Sequence, residues 1–219
     1  HSDFLRRRLL DAHPRARVVQ VNQPMPLPAP RDRKAVRAQF GLPSDAFVLV
    51  TCGGITPEKR LDWVAEAFLR MRAEIRHLVW LVVGKQIASS APWYDRICDA
   101  GAESSVRVTG YLDDLATFED AVAAGDVCVN LRYPSAGETS ASALRAMALG
   151  LPVIVSDVGW YRELPVGCAV HIEHDGSEVD QIINALRSWR RHPQQRRAAG
   201  AAARQLIARR HSPQDAAEG

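Results

Sequence analysis

Phe47-Val48-Leu49-Val50-Thr51, then Cys52-Gly53-Gly54-Ile55-Thr56-Pro57-Glu58-Lys59-Arg60, then Leu61: this order of residues decides the fold. The first five are apolar or β-branched with no polar alternation, as in a parallel strand covered on both faces. Two glycines and Pro57 end the run. From Leu61, the residues Leu61, Val64, Ala65, Phe68, Met71 and Ile75 recur every three or four positions. They make one apolar helical stripe. The unit is strand, glycine turn, helix.

Outward from it the pattern repeats. Strand-like runs fall at Val18–Val21, Leu78–Val83, Val106–Thr109, Val127–Leu131, Val153–Val155 and Ala169–Ile172. Helical stripes fall at Leu115, Phe118, Ala121 and Val122, at Ala143, Leu144, Met147 and Ala148, and at Val179, Ile182, Ile183 and Leu186. Strand–helix alternation predicts an α/β fold with a doubly wound, Rossmann-like parallel sheet. Residues 23–31 differ: Pro24, Pro26, Pro28 and Pro30 exclude helix or central strand. They read as an extended connector, so the chain divides into 1–31 and a main unit, 32–219.

Composition narrows the classes. The 219 residues are 47% hydrophobic and 24% charged, enough apolar material for one sizeable core. No apolar run approaches the length of a membrane span. Arg6, Arg7 and Arg8 are followed by no apolar segment, so no secretory signal is expected in this stretch. A chain that starts at His1 reads as a piece whose N-terminus lies upstream. Cys52, Cys98, Cys128 and Cys168 form no C-x-x-C pair, so zinc and disulfides are not expected and a reducing cytoplasm fits. The net charge is +3. Residues Arg187 to Arg210 hold eight arginines and no acid. Without aromatic interleaving suited to base stacking, a nucleic-acid surface is not the favoured reading of this stretch. It reads as solvated helices with a minor role at an acidic membrane surface, as in peripheral contact with the inner face of a membrane.

In open α/β sheets, ligands sit beyond the carboxyl ends of the strands. Three segments there carry chemistry. In the first, Gly53 and Gly54 allow close backbone approach, and Lys59 and Arg60 stand beside a helix start, where anions are favoured. It is neither a Walker loop nor G-x-G-x-x-G, which disfavours a nicotinamide cofactor. In the second, Arg132 to Ser142, Glu138 is surrounded by the small residues Ser135, Ala136, Gly137, Ser140, Ala141 and Ser142. A carboxylate there suits sugar hydroxyls, and Thr139 and Ser140 open a helix. In the third, Gly110-Tyr111-Leu112 follows a strand, and Gly110 permits a turn against a flat ring. His171 and His174 sit at a strand end without a third ligand at metal spacing. Trp160 and Tyr161 suit an acceptor contact or ordinary packing equally.

Together these segments resemble the C-terminal donor domain of retaining, GT-B-fold glycosyltransferases of the group 1 family. The match runs through His1-Ser2-Asp3-Phe4-Leu5, Gly53 to Lys59, Gly110-Tyr111-Leu112, Asp126 to Leu131, Pro134-Ser135 with Glu138, Ala146 to Ile154, and Glu163-Leu164. The resemblance implies that residues 1–31 are the interdomain crossing and linker and that 32–219 bind the donor. It implies a further N-terminal acceptor domain, absent from this chain. The donor is a UDP-, GDP- or ADP-sugar, and no metal is expected. Lys59 contacts the diphosphate, and Glu138 the sugar hydroxyls. Gly53, Gly54, Gly137, Thr139 and Ser140 offer backbone at the phosphates, and Gly110 and Tyr111 lie near the base. Two positions depart from the family. Gly54 stands where an arginine is usual, and Arg60 is the candidate substitute. Ala146 stands where a second glutamate binds ribose, and Arg145, one residue earlier, is placed to contact phosphate bidentately. A catalytically degenerate binding module is the alternative.

Overall fold

The computed structural model describes residues 1–87 and 91–212. The end of the expected 32–219 unit, residues 213–219, lies outside the described residues. Six strands form one parallel sheet: β1 (Phe47–Cys52), β2 (Leu78–Val83), β3 (Val106–Val108), β4 (Val127–Asn130), β5 (Val153–Ser156) and β6 (Ala169–Ile172). The order across the sheet is β3-β2-β1-β4-β5-β6, and every pair is parallel. This is the doubly wound order of nucleotide-binding sheets.

Strand β1 shows why the sequence has this pattern. Its six residues are all buried. Val48, Val50 and Cys52 point into one core layer, and Phe47 and Leu49 into the other. A strand covered on both faces has no polar side, so its sequence cannot alternate. One layer is covered by α3 (Leu61–Arg72), α4 (Pro92–Asp99) and α7 (Glu178–Arg191). The other is covered by α2 (Arg33–Gln39), α5 (Leu115–Ala123), α6 (Ala141–Ala148) and α8 (Pro193–Arg210). The α3 stripe of Leu61, Val64, Ala65, Phe68 and Met71 is buried against the sheet, with Phe68 packed on Trp80. The helix ends before Ile75, which stays buried in the following turn. Each such side chain, fully buried, contributes about 1.5–3 kcal/mol. Helix α4 was not foreseen. Pro92 opens it, and Trp93 and Ile97 are its buried residues.

The expected strand Val18–Val21 does not form. Val19 is 62% exposed and the run pairs with no strand of the sheet, so it has neither a ladder partner nor apolar cover. The proline-rich segment is extended, as expected, but it is fastened rather than free. Met25 is buried and donates its N–H to the His211 carbonyl at 2.7 Å, and Arg204 donates to the Pro28 carbonyl at 2.8 Å. Before it, α1 (Asp3–Ala12) is capped by Ser2, whose hydroxyl accepts the Leu5 N–H.

Helix α8 crosses the turn after α6 at backbone distance. A Cβ on Gly200 would lie 2.1 Å from the Gly150 carbonyl oxygen. Glycine to alanine inside a helix ordinarily gains about 1 kcal/mol from propensity. Here the backbone clash outweighs it. Gly200→Ala is therefore expected to destabilise the fold by about 1 kcal/mol or more, read as a lower urea midpoint. A midpoint that rises would show that the helices do not cross this closely.

Candidate functional site

The strand order reverses between β1 and β4. The chain leaves β1 toward the α3 layer and leaves β4 toward the α6 layer. The two exits therefore diverge, and the crevice between them is where such sheets take ligands.

Three glycines line the carboxyl ends of β1, β2 and β3. Gly53 (φ +94°), Gly84 (φ +145°) and Gly110 (φ +70°) all hold positive φ. The Gly53 N–H donates to the Val83 carbonyl at 2.9 Å, and Gly84 pairs with Gly110. A Cβ on Gly84 would sit 2.0 Å from the Gly53 carbonyl oxygen. Gly84 had no motif to mark it in the sequence; only the register of β1 against β2 reveals it. A side chain on Gly53 would meet Ser142 at 3.1 Å and the Lys59 amine at 3.5 Å.

Lys59 closes a 3₁₀ turn, Pro57–Lys59, and is 4% exposed. Its Nζ donates to the Cys52 carbonyl at 2.9 Å and to Ser142 Oγ at 3.3 Å. Burial pushes this amine below the usual lysine range; the nearby Arg132 pushes it the same way. Ser142 belongs to the first turn of α6, so the ammonium lies against a helix N-terminus. Ser140 caps that helix, with Oγ accepting the Ala143 N–H at 3.2 Å. Asn130 donates to Ser142 Oγ at 2.9 Å, and its carbonyl oxygen accepts from Ser140 at 3.0 Å and Tyr161 at 2.9 Å. This hydrogen-bonded set fixes both side chains at the helix start.

Glu138 stands just before α6. Its Oε1 pairs with Arg132 Nη1 at 3.0 Å, and its Oε2 accepts from Ser135 Oγ at 3.1 Å. Arg132 Nε is buried with no hydrogen-bond partner among the described residues. Arg132, at the exit of β4, is the cation that sequence reasoning left without a role. Its signal was its position, directly after the strand that enters the Glu138 loop. The loop that follows that strand exit is clasped by the N-terminal segment. Ser2 Oγ donates to the Gly137 carbonyl at 3.0 Å, and Thr139 Oγ1 donates to the His1 carbonyl at 3.2 Å. The Phe4 N–H donates to Glu163 at 2.9 Å, and a Cβ on Gly137 would meet the Phe4 ring at 2.2 Å.

The structure thus brings together Gly53, Lys59, Glu138, Thr139 and Ser140, with Gly137 beneath them. Gly110 joins through Gly84, and Tyr111 stands at the rim, 69% exposed. Gly54 faces Ile87, whose Cδ1 would lie 2.6 Å from a Cβ there. Two expected cations turn elsewhere. Arg60 is held by Asp62 at 2.6 and 3.0 Å and lies 3.7 Å above the Trp63 ring. It borders an apolar cleft of about 530 Å³ that also takes in Pro57, Leu61, Trp93 and Tyr133. Arg145 donates to Glu119 on α5 at 2.8 Å, in a network shared with Arg31, and Ala146 is fully buried. A long side chain on α6 finds a buried carboxylate there instead of the crevice. The two histidines are also engaged, His171 with the Tyr161 carbonyl at 2.9 Å and His174 with Glu178 at 2.6 Å. Trp160 and Tyr161 are buried, which makes them core residues.

A doubly wound parallel sheet of this order is the fold found as the C-terminal half of GT-B proteins. Residues 46–188 match the family model of glycosyl transferases group 1, and the chain belongs to that family. Among curated proteins it is 33% identical over 141 residues to D-inositol 3-phosphate glycosyltransferase of Stackebrandtia nassauensis, a match covering 59% of this chain and 30% of that protein. The matched region thus spans under a third of that relative. Among solved structures, the C-terminal domain of a glycosyl transferase group 1 family protein of Francisella tularensis (LpcC) superposes with a TM-score of 0.73 at 17% identity. The superposition covers 89% of this chain and 97% of that domain. Anabaena HepE, solved in complex with UDP, gives a TM-score of 0.77 at 16% identity, over 90% of this chain and 54% of that one.

Gly84→Ala is expected to lower stability by about 1–3 kcal/mol by driving the Gly53 carbonyl off its position. Chemical denaturation of the variant checks this; an unchanged stability would contradict the close packing of these two strand ends.

Proposed function

We propose that this chain is the donor-binding half of a retaining glycosyltransferase, which moves a sugar from a nucleoside diphosphate sugar to an acceptor. The observation that carries this reading is the buried Lys59 ammonium against the first turn of α6, at the switch point of the sheet. The difficult event in such a transfer is departure of the nucleoside diphosphate. Negative charge grows on its phosphate oxygens as the anomeric bond breaks. Lys59, the α6 N-terminus and Arg132 face that charge with little reorganisation. Glu138, oriented by Arg132 and Ser135, accepts from donor-sugar hydroxyls, and Arg132 takes the part first considered for Arg60. The exposed Tyr111 ring and the open backbone of Gly110 suit the base. No step in this scheme requires a metal. The UDP bound to HepE, on the same fold, supports a nucleotide-sugar donor.

An N-terminal acceptor domain completes the enzyme in this reading. The clasp of His1, Ser2 and Phe4 on the Glu138 loop is where that domain's chain would enter. The fragment alone then binds nucleotide weakly and does not turn over. The protein works in the cytoplasm, and the arginines of α7 and α8 allow peripheral contact with an anionic membrane. The second reading, a degenerate binding module, is favoured by one observation: no carboxylate occupies position 145 or 146 to hold a ribose. In the full-length protein, Lys59→Ala and Glu138→Gln distinguish the two. An enzyme loses about 10²–10³-fold in kcat; a scaffold has no turnover to lose and keeps its partners.

Lys59 also sets a pH dependence. Its amine titrates below the usual lysine range, and a bound diphosphate favours the protonated form. Affinity for UDP, GDP or ADP is therefore expected to be full at pH values below the lowered pKa and to fall as the pH rises through it. In Lys59→Met that decline should vanish and the affinity should be low throughout. Thermal shift against nucleotide concentration, repeated across pH, measures this. A wild-type profile that stays flat up to the usual lysine range would remove Lys59 from the phosphate site.

A further inference from the structure

The opposite, amino-terminal edge of the sheet carries a second concentration of positive charge. Asp126 precedes β4 directly. Its Oδ1 receives Arg33 Nη2 at 2.8 Å and Arg196 Nη2 at 3.0 Å. Its Oδ2 receives Arg37 Nη2 and the Val48 N–H, at 2.8 and 2.9 Å. A carboxylate offers about four acceptor positions, and all are taken. Three guanidinium groups share one negative charge.

Beside this cluster lies a recess of about 170 Å³. Arg31, Arg33, Arg196, Arg197 and Arg204 line it, and Asp126 is the one acid among its lining residues. Arg31 is already neutralised by Glu119 and Asp120, at 2.8 and 2.6 Å. Arg204 donates only to the Ala148 and Pro28 carbonyls, which carry no net charge. Arg197 is exposed, and among the described residues no hydrogen bond or ion pair engages it. Arg196 closes the first turn of α8, which has no acidic residue, and Arg197 follows it directly. That end of a helix is its positive pole, where cations are disfavoured and anions favoured. Burial pushes Arg33 and Arg196 below the usual arginine range, and neighbouring guanidinium groups push the same way.

We propose that this recess binds a phosphate-class oxyanion, either inorganic phosphate or the terminal group of a small phosphomonoester. It supplies the missing counter-charge for Arg33, Arg196, Arg197 and Arg204 and fastens the linker to α8. Guanidinium forks match a tetrahedral oxyanion bidentately. At about 30 Å³ per water, the recess has room for one such group and its hydration. No aromatic ring lines it to stack a base. Its walls include Ala29, Pro30 and Arg31 of the connector, so occupancy ties residues 29–31 to the body of the sheet. The site is separate from the Lys59 crevice, which lies beyond the other ends of the same strands.

The test is a titration of inorganic phosphate at ionic strength held constant with sodium chloride, followed by thermal unfolding. A parallel arm uses glycerol phosphate. Both are run in wild type and in Lys59→Ala, so that phosphate in the nucleotide crevice does not contribute. Saturable stabilisation that survives Lys59→Ala is the expected result. Arg197→Ala, which removes an exposed side chain, should weaken the phosphate dissociation constant about ten-fold or more. Arg209→Ala, at the far end of α8, should leave it unchanged. Saturation by glycerol phosphate alone assigns the site to phosphomonoesters. Equal stabilisation by chloride, or an Arg197→Ala constant equal to that of wild type, overturns the proposal.

Discussion

Strand β1 is hydrogen-bonded along both edges, to β2 on one side and β4 on the other, and buried on both faces. Everything else about the domain depends on that position. Because β1 and β4 send their chains to opposite layers, their exits separate, and the backbone beyond Cys52 and Leu131 has no covering helix. Polar groups at those ends are satisfied by each other or by a ligand. Lys59 and Ser142 are 83 residues apart in the chain, yet their side chains meet there at 3.3 Å. The glycine row of Gly53, Gly84 and Gly110 belongs to the same constraint. Parallel strands ending in register bring their exit turns together: a Cβ on Gly84 would strike the Gly53 carbonyl, and all three residues hold a positive φ that side chains rarely adopt.

Charge is arranged differently at the two ends of the sheet. At the carboxyl ends a single lysine is almost fully buried, with neutral hydrogen-bond acceptors and the positive pole of α6 beside it. An ammonium so placed is costly to charge. Glu138 and Arg132 form a half-exposed pair at the edge of that field, so Glu138 is held in place without being buried. At the amino ends, guanidinium groups crowd around Asp126 and around backbone carbonyls. That cluster holds the extended connector and α8 against the sheet, far from the crevice.

The four inner strands, β1, β2, β4 and β5, were legible in the sequence for a physical reason. A strand covered on both faces must be continuously apolar, and nothing else in an α/β chain writes such short, β-branched runs between helical stripes. The same criterion failed at Val18–Val21, where the run is apolar but pairs with no strand of the sheet. Helix α4 went unread because it buries only Trp93 and Ile97, too few for a stripe. Lys59, Glu138 and Ser140 were legible because glycine and capping residues mark the loops that hold them. Gly84 was not, since it follows β2 as one isolated glycine and matters only through its contact with Gly53.

The sequence alone determined the fold class, the family and the loops that bear the site, because periodicity, glycine placement and helix caps are local properties. It could not determine which cations serve the site. Arg60, Arg132 and Arg145 each stand in or beside a site loop and look equivalent along the chain. The folded structure gives Arg60 to Asp62 and Trp63, Arg145 to Glu119, and only Arg132 to Glu138. A guanidinium reaches far from its Cα and pairs with whichever carboxylate lies within that reach. Which carboxylate that is depends on how the helices pack.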